Sequence, residues 1–211
     1  MSLTYEKNGK KHSHYAGRSA VAGESMVGVF FEGYKVERND MGPNDTIDYS
    51  KTDCVVTSLS GAKLFVEAEA KADSLWRYIY EGTDIPARKE KLLTEVEDLS
   101  NYWHFMVKMK AKNEVLLTNF AFLKAASESQ GYMGTRNIQS SKNWKMPSHG
   151  CHMVRKRCRT QGEDFEENDF IRIPYKYINH WKLEEGRWKA VQTPCSSAGK
   201  HGLKWIRDNI S

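Results

Sequence analysis

Apolar side chains in residues 18–31 (Val21, Met26, Val27, Phe30 and Phe31) recur at roughly helical intervals, and Gly33 follows as a stop signal. A helix is expected there. Residues 34–38 alternate as a short strand does, and the polar loop 39–52, with Gly42 and Pro43, separates them from the next element. Two strands are then expected, over 53–57 and 63–71, joined by a hairpin connection at 58–62. Residues 72–80 fit neither period. Pro86 suits the first turn of a helix, and Leu92, Leu93, Val96 and Leu99 continue that pattern to residue 101. Strands are expected over 103–109 and 115–118, and a helix over 120–127. Past Gly131 the chain reads as irregular, apart from a short strand at 170–174 and a last helix at 202–209. Residues 1–15 are polar and read as a flexible tail.

The order helix, three strands, helix, two strands implies an α/β (α+β) domain with a central mixed sheet flanked by helices. We divide the chain into a tail (1–15), a core (16–126) and a basic, aromatic extension packed on the core (127–211). A length of 211 residues suffices for a substantial core. No apolar run approaches the length of a bilayer span, and the polar, basic N-terminus lacks the apolar stretch of a signal peptide. An intracellular, cytoplasmic protein without a membrane partner is expected. Cys54, Cys151, Cys158 and Cys195 are irregularly spaced, which favours free thiols. A zinc module from His149, Cys151, His152 and Cys158 is an alternative, but that spacing matches no standard pattern.

The chemistry concentrates in Lys63–Lys71. Side chains alternate along a strand, so Glu67, Glu69 and Lys71 share one face and Leu64, Val66, Ala68 and Ala70 the other. Alone, this is an ordinary amphipathic strand. Asp53 opens the preceding strand, and antiparallel pairing brings it toward Glu69. Two adjacent carboxylates repel unless a cation lies between them. A hard divalent metal with oxygen ligands resolves that repulsion. Glu24 precedes Val27 and Phe31 by three and seven residues, so it projects on their side of the helix.

Asp53, then a hairpin to Glu69-x-Lys71, preceded by a helix bearing Glu24 and by Gly33-Tyr34-Lys35-Val36, resembles the PD-(D/E)XK nuclease superfamily over residues 16–126. The chain departs from the motif at Thr52, where the family has proline. Asp45 and Asp48 compete for the first acid and Glu67 for the second. Asp53 is preferred because the apolar strand follows it directly, and Glu69 because Lys71 stands two places on. The resemblance implies a restriction-endonuclease-like core and Mg²⁺-dependent hydrolysis of DNA by metal-activated water, with Mn²⁺ as a substitute. It implies Asp53, Glu69 and the carbonyl of Ala70 as metal ligands. Lys71 would orient the water or offset charge, and Glu24 would support a second metal or a water. A homodimer is expected, since cutting both strands is easiest with two sites. A branched-DNA or repair nuclease, and a non-catalytic nucleic-acid-binding protein of the same fold, are the alternatives.

Charge refines the substrate. The net charge is +5 and the pI about 8.9. Residues 131–160 carry Arg136, Lys142, Lys145, Arg155, Lys156, Arg157 and Arg159 with no acid, interleaved with Tyr132, Trp144, His149 and His152. Basic groups bind phosphate and aromatic rings stack on unpaired bases. Lys142, Trp144, Lys145, Arg155, Lys156, Arg157 and Arg159 are therefore expected to contact nucleic acid. Arg88 and Lys89, after Pro86, would border the active site in such an architecture.

Overall fold

A computed structural model describes residues 4–7, 10–13, 16–39, 52–76, 79–86, 96–121, 152–159 and 165–192. It is a mixed α/β protein built on a strand-rich sheet. In chain order the elements are β1 (Thr4–Lys7), β2 (Lys10–Ser13), α1 (Ala16–Phe30), β3 (Lys35–Arg38), β4 (Cys54–Thr57), β5 (Lys63–Lys71) and the short α2 (Asp73–Trp76). There follow β6 (Thr83–Pro86), β7 (Tyr102–Lys108), β8 (Glu114–Asn119), β9 (His152–Arg159), β10 (Phe165–Ile173), β11 (Asn179–Glu184) and β12 (Arg187–Gln192).

The main sheet runs in the order β12-β11-β8-β7-β5-β4-β3. Strands β3, β4 and β5 form an antiparallel meander, and β7 joins β5 in parallel, with Phe65 opposite Tyr102 and Glu69 opposite Met106. Pairs β7–β8, β8–β11 and β11–β12 are antiparallel. A second sheet has the order β6-β10-β9.

Two cores form because β5 and β7 lie inside the sheet and are covered on both faces. On one face α1 presents Met26, Val27, Phe30 and Phe31 to Leu64, Val66, Ala68, Ala70, Trp103, Phe105 and Val107. Phe30 also meets Trp181 and Trp188 edge-on at 5.9 and 5.1 Å, so β11 and β12 help to bury the helix. On the other face Met106 and Leu116 pack with Trp76, Ile85, Leu99, Ile171 and Ile173, drawn from the β5–β7 connection and the second sheet. The fifteen residues of α1 end at Phe30, and the turn that follows contains Gly33, whose φ of +88° is a left-handed conformation that glycine adopts without steric cost.

Several expectations need correction. Residues 4–13 of the expected tail hold the β1–β2 hairpin. Pro86 ends a strand instead of starting a helix. The helix expected over 87–101 is absent from its described part, 96–101, which forms turns. There Asp98 accepts a hydrogen bond from the N–H of Ser100 at 2.9 Å, a local bond that competes with helix formation. The expected irregularity past Gly131 gives way to strands β9 to β12, and the short strand at 170–174 is part of the nine-residue β10. Strand β11 pairs with β8, so the main sheet takes strands from both the expected core and the expected extension. Most of the helix expected at 120–127, and all of that at 202–209, lie outside the described residues.

Candidate functional site

The site lies where β5 outruns β4. Their pairing ends at Cys54 opposite Val66, so Glu67–Lys71 continue with β7 on one side and no ladder partner from β4 on the other. Asp53 stands at the bend just before β4. Cys54 and Val56 face α1, so alternation sets Asp53 on the opposite face, with Glu67, Glu69 and Lys71. Its carboxylate turns into the gap, and Oδ2 accepts the backbone N–H of Ala68 at 2.7 Å. That bond satisfies a donor that β4 would otherwise have paired. Backbone groups of alternate residues point to the same strand edge, so the carbonyl of Ala70 is directed to the edge where Asp53 sits.

Glu69 extends toward β7. Its Oε1 is 3.4 Å from Lys71 Nζ and its Oε2 is 3.3 Å from His104 Nε2. The ammonium and the imidazole thus flank the carboxylate, one beside each oxygen. Burial pushes the Glu69 carboxyl upward, but the His104 imidazole and the Lys71 charge more than offset it and hold Glu69 below the usual carboxylate range. His104 is 2% exposed and stands opposite Glu67, itself buried.

Lys71 is tied to the second sheet. Its Nζ donates to the carbonyl of Asp84 on β6 at 3.2 Å. The Asp84 carboxylate accepts two bonds from Arg172 on β10, from Nε at 2.8 Å and Nη2 at 3.2 Å. This two-point geometry fixes both partners, and Asp84 is buried.

Glu24 is half-buried on α1, on the helix side of the sheet. Its neighbour Gly23 lies directly over β5. A Cβ there would stand 3.1 Å from the Glu69 nitrogen and 3.3 Å from the Ala68 carbonyl carbon. Glu24 is therefore level with Ala68 and Glu69, whereas the Glu69 side chain leaves the sheet on the other face.

The structure thus bonds Asp53 to β5 one residue before Glu69 and pairs Glu69 with Lys71, whereas Glu24 lies on the helix side of the sheet. Sequence reasoning missed His104, Asp84 and Arg172. A histidine amid Trp103, Phe105, Met106 and Val107 was a usable signal for the first. Nothing local marks the other two, because they meet Lys71 only through the second sheet. Among the described residues, no three of His, Cys, Asp and Glu are gathered closely enough to hold a metal in this conformation. His104 is beside the Glu69 carboxylate, and Asp53 and the Ala70 carbonyl share the adjacent edge of β5.

Comparison with protein-family models, curated proteins and solved structures gives no match.

The expected nucleic-acid contacts fall partly on β9. Its register sets Arg155 opposite Asp169, Arg157 opposite Glu167, Lys156 opposite Asn168 and Arg159 opposite Phe165. Arg88, Lys89, Lys142, Trp144 and Lys145 lie outside the described residues, as do His149 and Cys151.

A second polar group occupies the same sheet face beyond Met106. Glu114 accepts from Lys108 Nζ at 3.0 Å and from Trp76 Nε1 at 2.8 Å, and His180 Nε2 is 3.2 Å away. A neutral His180 that donates through Nε2 must accept at Nδ1, where the Tyr175 hydroxyl is 2.7 Å away. Burial raises the Glu114 carboxyl, but Lys108, Trp76 and His180 more than offset it. Burial lowers His180 more than Glu114 raises it. Burial, with Tyr80 and Glu114, pushes Tyr175 up to about 12. Tyr175 is therefore a hydrogen-bond donor, and the trio reads as a buried brace between β8 and β11. No helix among the described residues is long and apolar enough to cross a membrane.

Proposed function

We propose that the chain is a divalent-cation-dependent endonuclease that hydrolyses phosphodiester bonds in DNA, on a restriction-endonuclease-like core of α1, the β3–β4–β5 meander and β7. The observation that carries this reading is the junction of Asp53 with β5. Its carboxylate is bonded to the Ala68 N–H at 2.7 Å, one residue before Glu69, and Lys71 stands 3.4 Å from the Glu69 carboxylate. An acid bonded to β5 and an acid–lysine pair on the next residues of that strand are the groups that phosphodiester hydrolysis would use.

Asp53, Glu69 and the Ala70 carbonyl would hold the cation, Mg²⁺ or Mn²⁺. A bound cation supplies a more acidic water and neutralises phosphate charge. Lys71 is held by the Asp84 carbonyl, so its ammonium stays beside the carboxylates, where it offsets negative charge that develops in the transition state. Arg172 positions Asp84 and through it Lys71. DNA as substrate rests on the basic balance of the chain and on the acid-free basic run of residues 131–160. A homodimer would supply the two sites that a double-strand cut needs.

The test is incubation of the purified full chain with plasmid, single-stranded and branched DNA, with Mg²⁺, Mn²⁺ or EDTA. Metal-dependent cleavage is expected, and Glu69→Ala should abolish it while leaving DNA binding intact or stronger, because a negative charge beside the phosphate path is removed. Preferential cleavage of the branched substrate would assign the chain to junction processing. Binding with no cleavage of any substrate would replace the enzyme with a non-catalytic binding protein.

A further inference from the structure

We propose that the end of the main sheet that carries Lys71 binds the phosphate backbone of a nucleic acid, through four lysines in a row that crosses five strands. The proposal rests on the DNA-directed reading above and names a surface that holds the substrate, in addition to the basic run of residues 131–160.

Register builds the row. Lys71 on β5 is the partner of Lys108 on β7. Lys182 on β11 is the partner of Glu114 on β8 and, on its other side, of Lys189 on β12. Val107 and Val115 are partners that pack toward α1, so their neighbours Lys108 and Glu114 lie side by side on the other face. Trp181 and Trp188 also pack toward α1, which sets Lys182 and Lys189 on that same opposite face. Across the sheet the order is Lys71, Lys108, Glu114, Lys182 and Lys189. At about 4.8 Å between strands, the row spans roughly 19 Å. One strand of a duplex has a phosphate about every 3.4 Å along its axis, so the row can face about five or six of them.

Charge says what fits there. Lys110 and Lys112, both exposed, stand in the β7–β8 turn at the same end of the sheet. The one acid within the row, Glu114, is engaged by Lys108 and by Trp76. Glu69 pairs with Lys71, and Glu184 with Lys189 at 3.3 Å. Lys182 forms no ion pair with another described residue. Lys182 and Lys189 are also directly opposite on an antiparallel pair, where like charges repel. Stability alone favours opposite charges at such a position, and phosphates laid across the row would offset the repulsion. A backbone that follows the row is led to Lys71, beside Glu69.

The test measures binding of the purified full chain to a duplex and to a single-stranded oligonucleotide, in EDTA, across a salt series. Lys182→Gln/Lys189→Gln removes two positive charges from the row. Lys35→Gln/Lys63→Gln removes two from the far end of the sheet, where both lysines flank Thr57. The log–log slope for duplex should be shallower by about 1.8 in the row variant, at about 0.9 for each lost phosphate contact. Between about 50 and 200 mM salt, wild type should therefore lose about twelvefold more affinity than the row variant does. The far-end variant should keep the wild-type slope, and so should Lys182→Arg/Lys189→Arg, which keeps the charge. A structural role alone would lower the unfolding temperature of the row variant and leave the slope as it was. If the row variant does not fold, Lys189→Gln alone takes its place, with an expected slope change of about 0.9. A wild-type slope in the folded row variant, or an equal change in the far-end variant, would overturn the proposal. So would failure of wild type to bind either nucleic acid, which would leave the row to another polyanion, such as an acidic protein. None of these readouts needs cleavage or a metal. A shallower slope in a chain that cleaves no DNA would uphold the surface and reject the nuclease, whereas cleavage by a chain whose row variant keeps its slope would do the reverse.

Discussion

The carboxylate of Asp53 accepts the backbone N–H of Ala68 at 2.7 Å, and this one bond fixes an acid to the strand that carries Glu69 and Lys71. The bond serves the fold as well as the proposed chemistry, since it pairs a strand donor that β4 does not reach. The two roles separate by substitution. Asparagine keeps an acceptor oxygen for Ala68 but carries no charge, and alanine keeps neither.

Asp53→Asn is therefore expected to retain stability and lose metal-dependent cleavage. Asp53→Ala should lose both, with a stability cost of about 1.5 to 3 kcal/mol for a bond to a charged acceptor. Urea denaturation and plasmid cleavage on the two variants check this. Full cleavage by Asp53→Asn would remove Asp53 from the metal site.

Two glycines of α1 should respond oppositely to alanine. At Gly23 a Cβ would come within 3.1 to 3.3 Å of the β5 backbone at Ala68 and Glu69, which cannot yield without shifting the site. Overpacking of this kind costs about 1 to 3 kcal/mol, more than the roughly 1 kcal/mol of helix propensity gained. Gly28 is exposed, and a Cβ there meets nothing within 4 Å. Gly28→Ala should stabilise by up to about 1 kcal/mol. Thermal unfolding of both variants tests the prediction, and equal shifts would contradict the close approach of α1 to β5.

The brace of Glu114, His180 and Tyr175 predicts a pH dependence of stability. His180 is held below 6.5 in the folded chain. The unfolded chain therefore binds more protons as pH falls through that value, so stability is fully present above 6.5 and declines below it. Glu114 and Glu69 are both held below 4.5, so their contributions are present above that value and are lost at lower pH. Unfolding temperature measured against pH should fall in two stages. His180→Gln should remove the stage that starts near 6.5 and keep the acid one. An unchanged profile in that variant would assign the first stage to another group.

Strand β9 carries four residues of the basic cluster. Neutralising Arg155, Lys156, Arg157 and Arg159 together should flatten the salt dependence of duplex binding. The expected change in log–log slope is about 0.9 for each phosphate that the protein no longer neutralises. A salt titration in Ca²⁺ with wild type and the fourfold variant measures the change. An unchanged slope in the folded variant would place the phosphate-binding groups elsewhere.

Local periodicity by itself determined α1, strands β3 to β5 and strands β7 and β8, each to within about two residues. It also determined that Glu69 and Lys71 share a face, because the side-chain period of a strand is two whatever it pairs with. A hairpin loop short enough to fix the β4–β5 pairing made the neighbourhood of Asp53 and β5 legible too. The tertiary structure alone decided which residues complete that neighbourhood. His104 reaches Glu69 because β7 lies parallel to β5 after a crossover of some thirty residues, and Asp84 and Arg172 reach Lys71 through a second sheet. Charge was misleading on β9 and β10. Their basic and acidic runs looked like separate segments of opposite sign, but in space they are antiparallel partners. Such pairings depend on burial of apolar faces that lie far apart in the chain, and no local pattern encodes the register at which those faces meet.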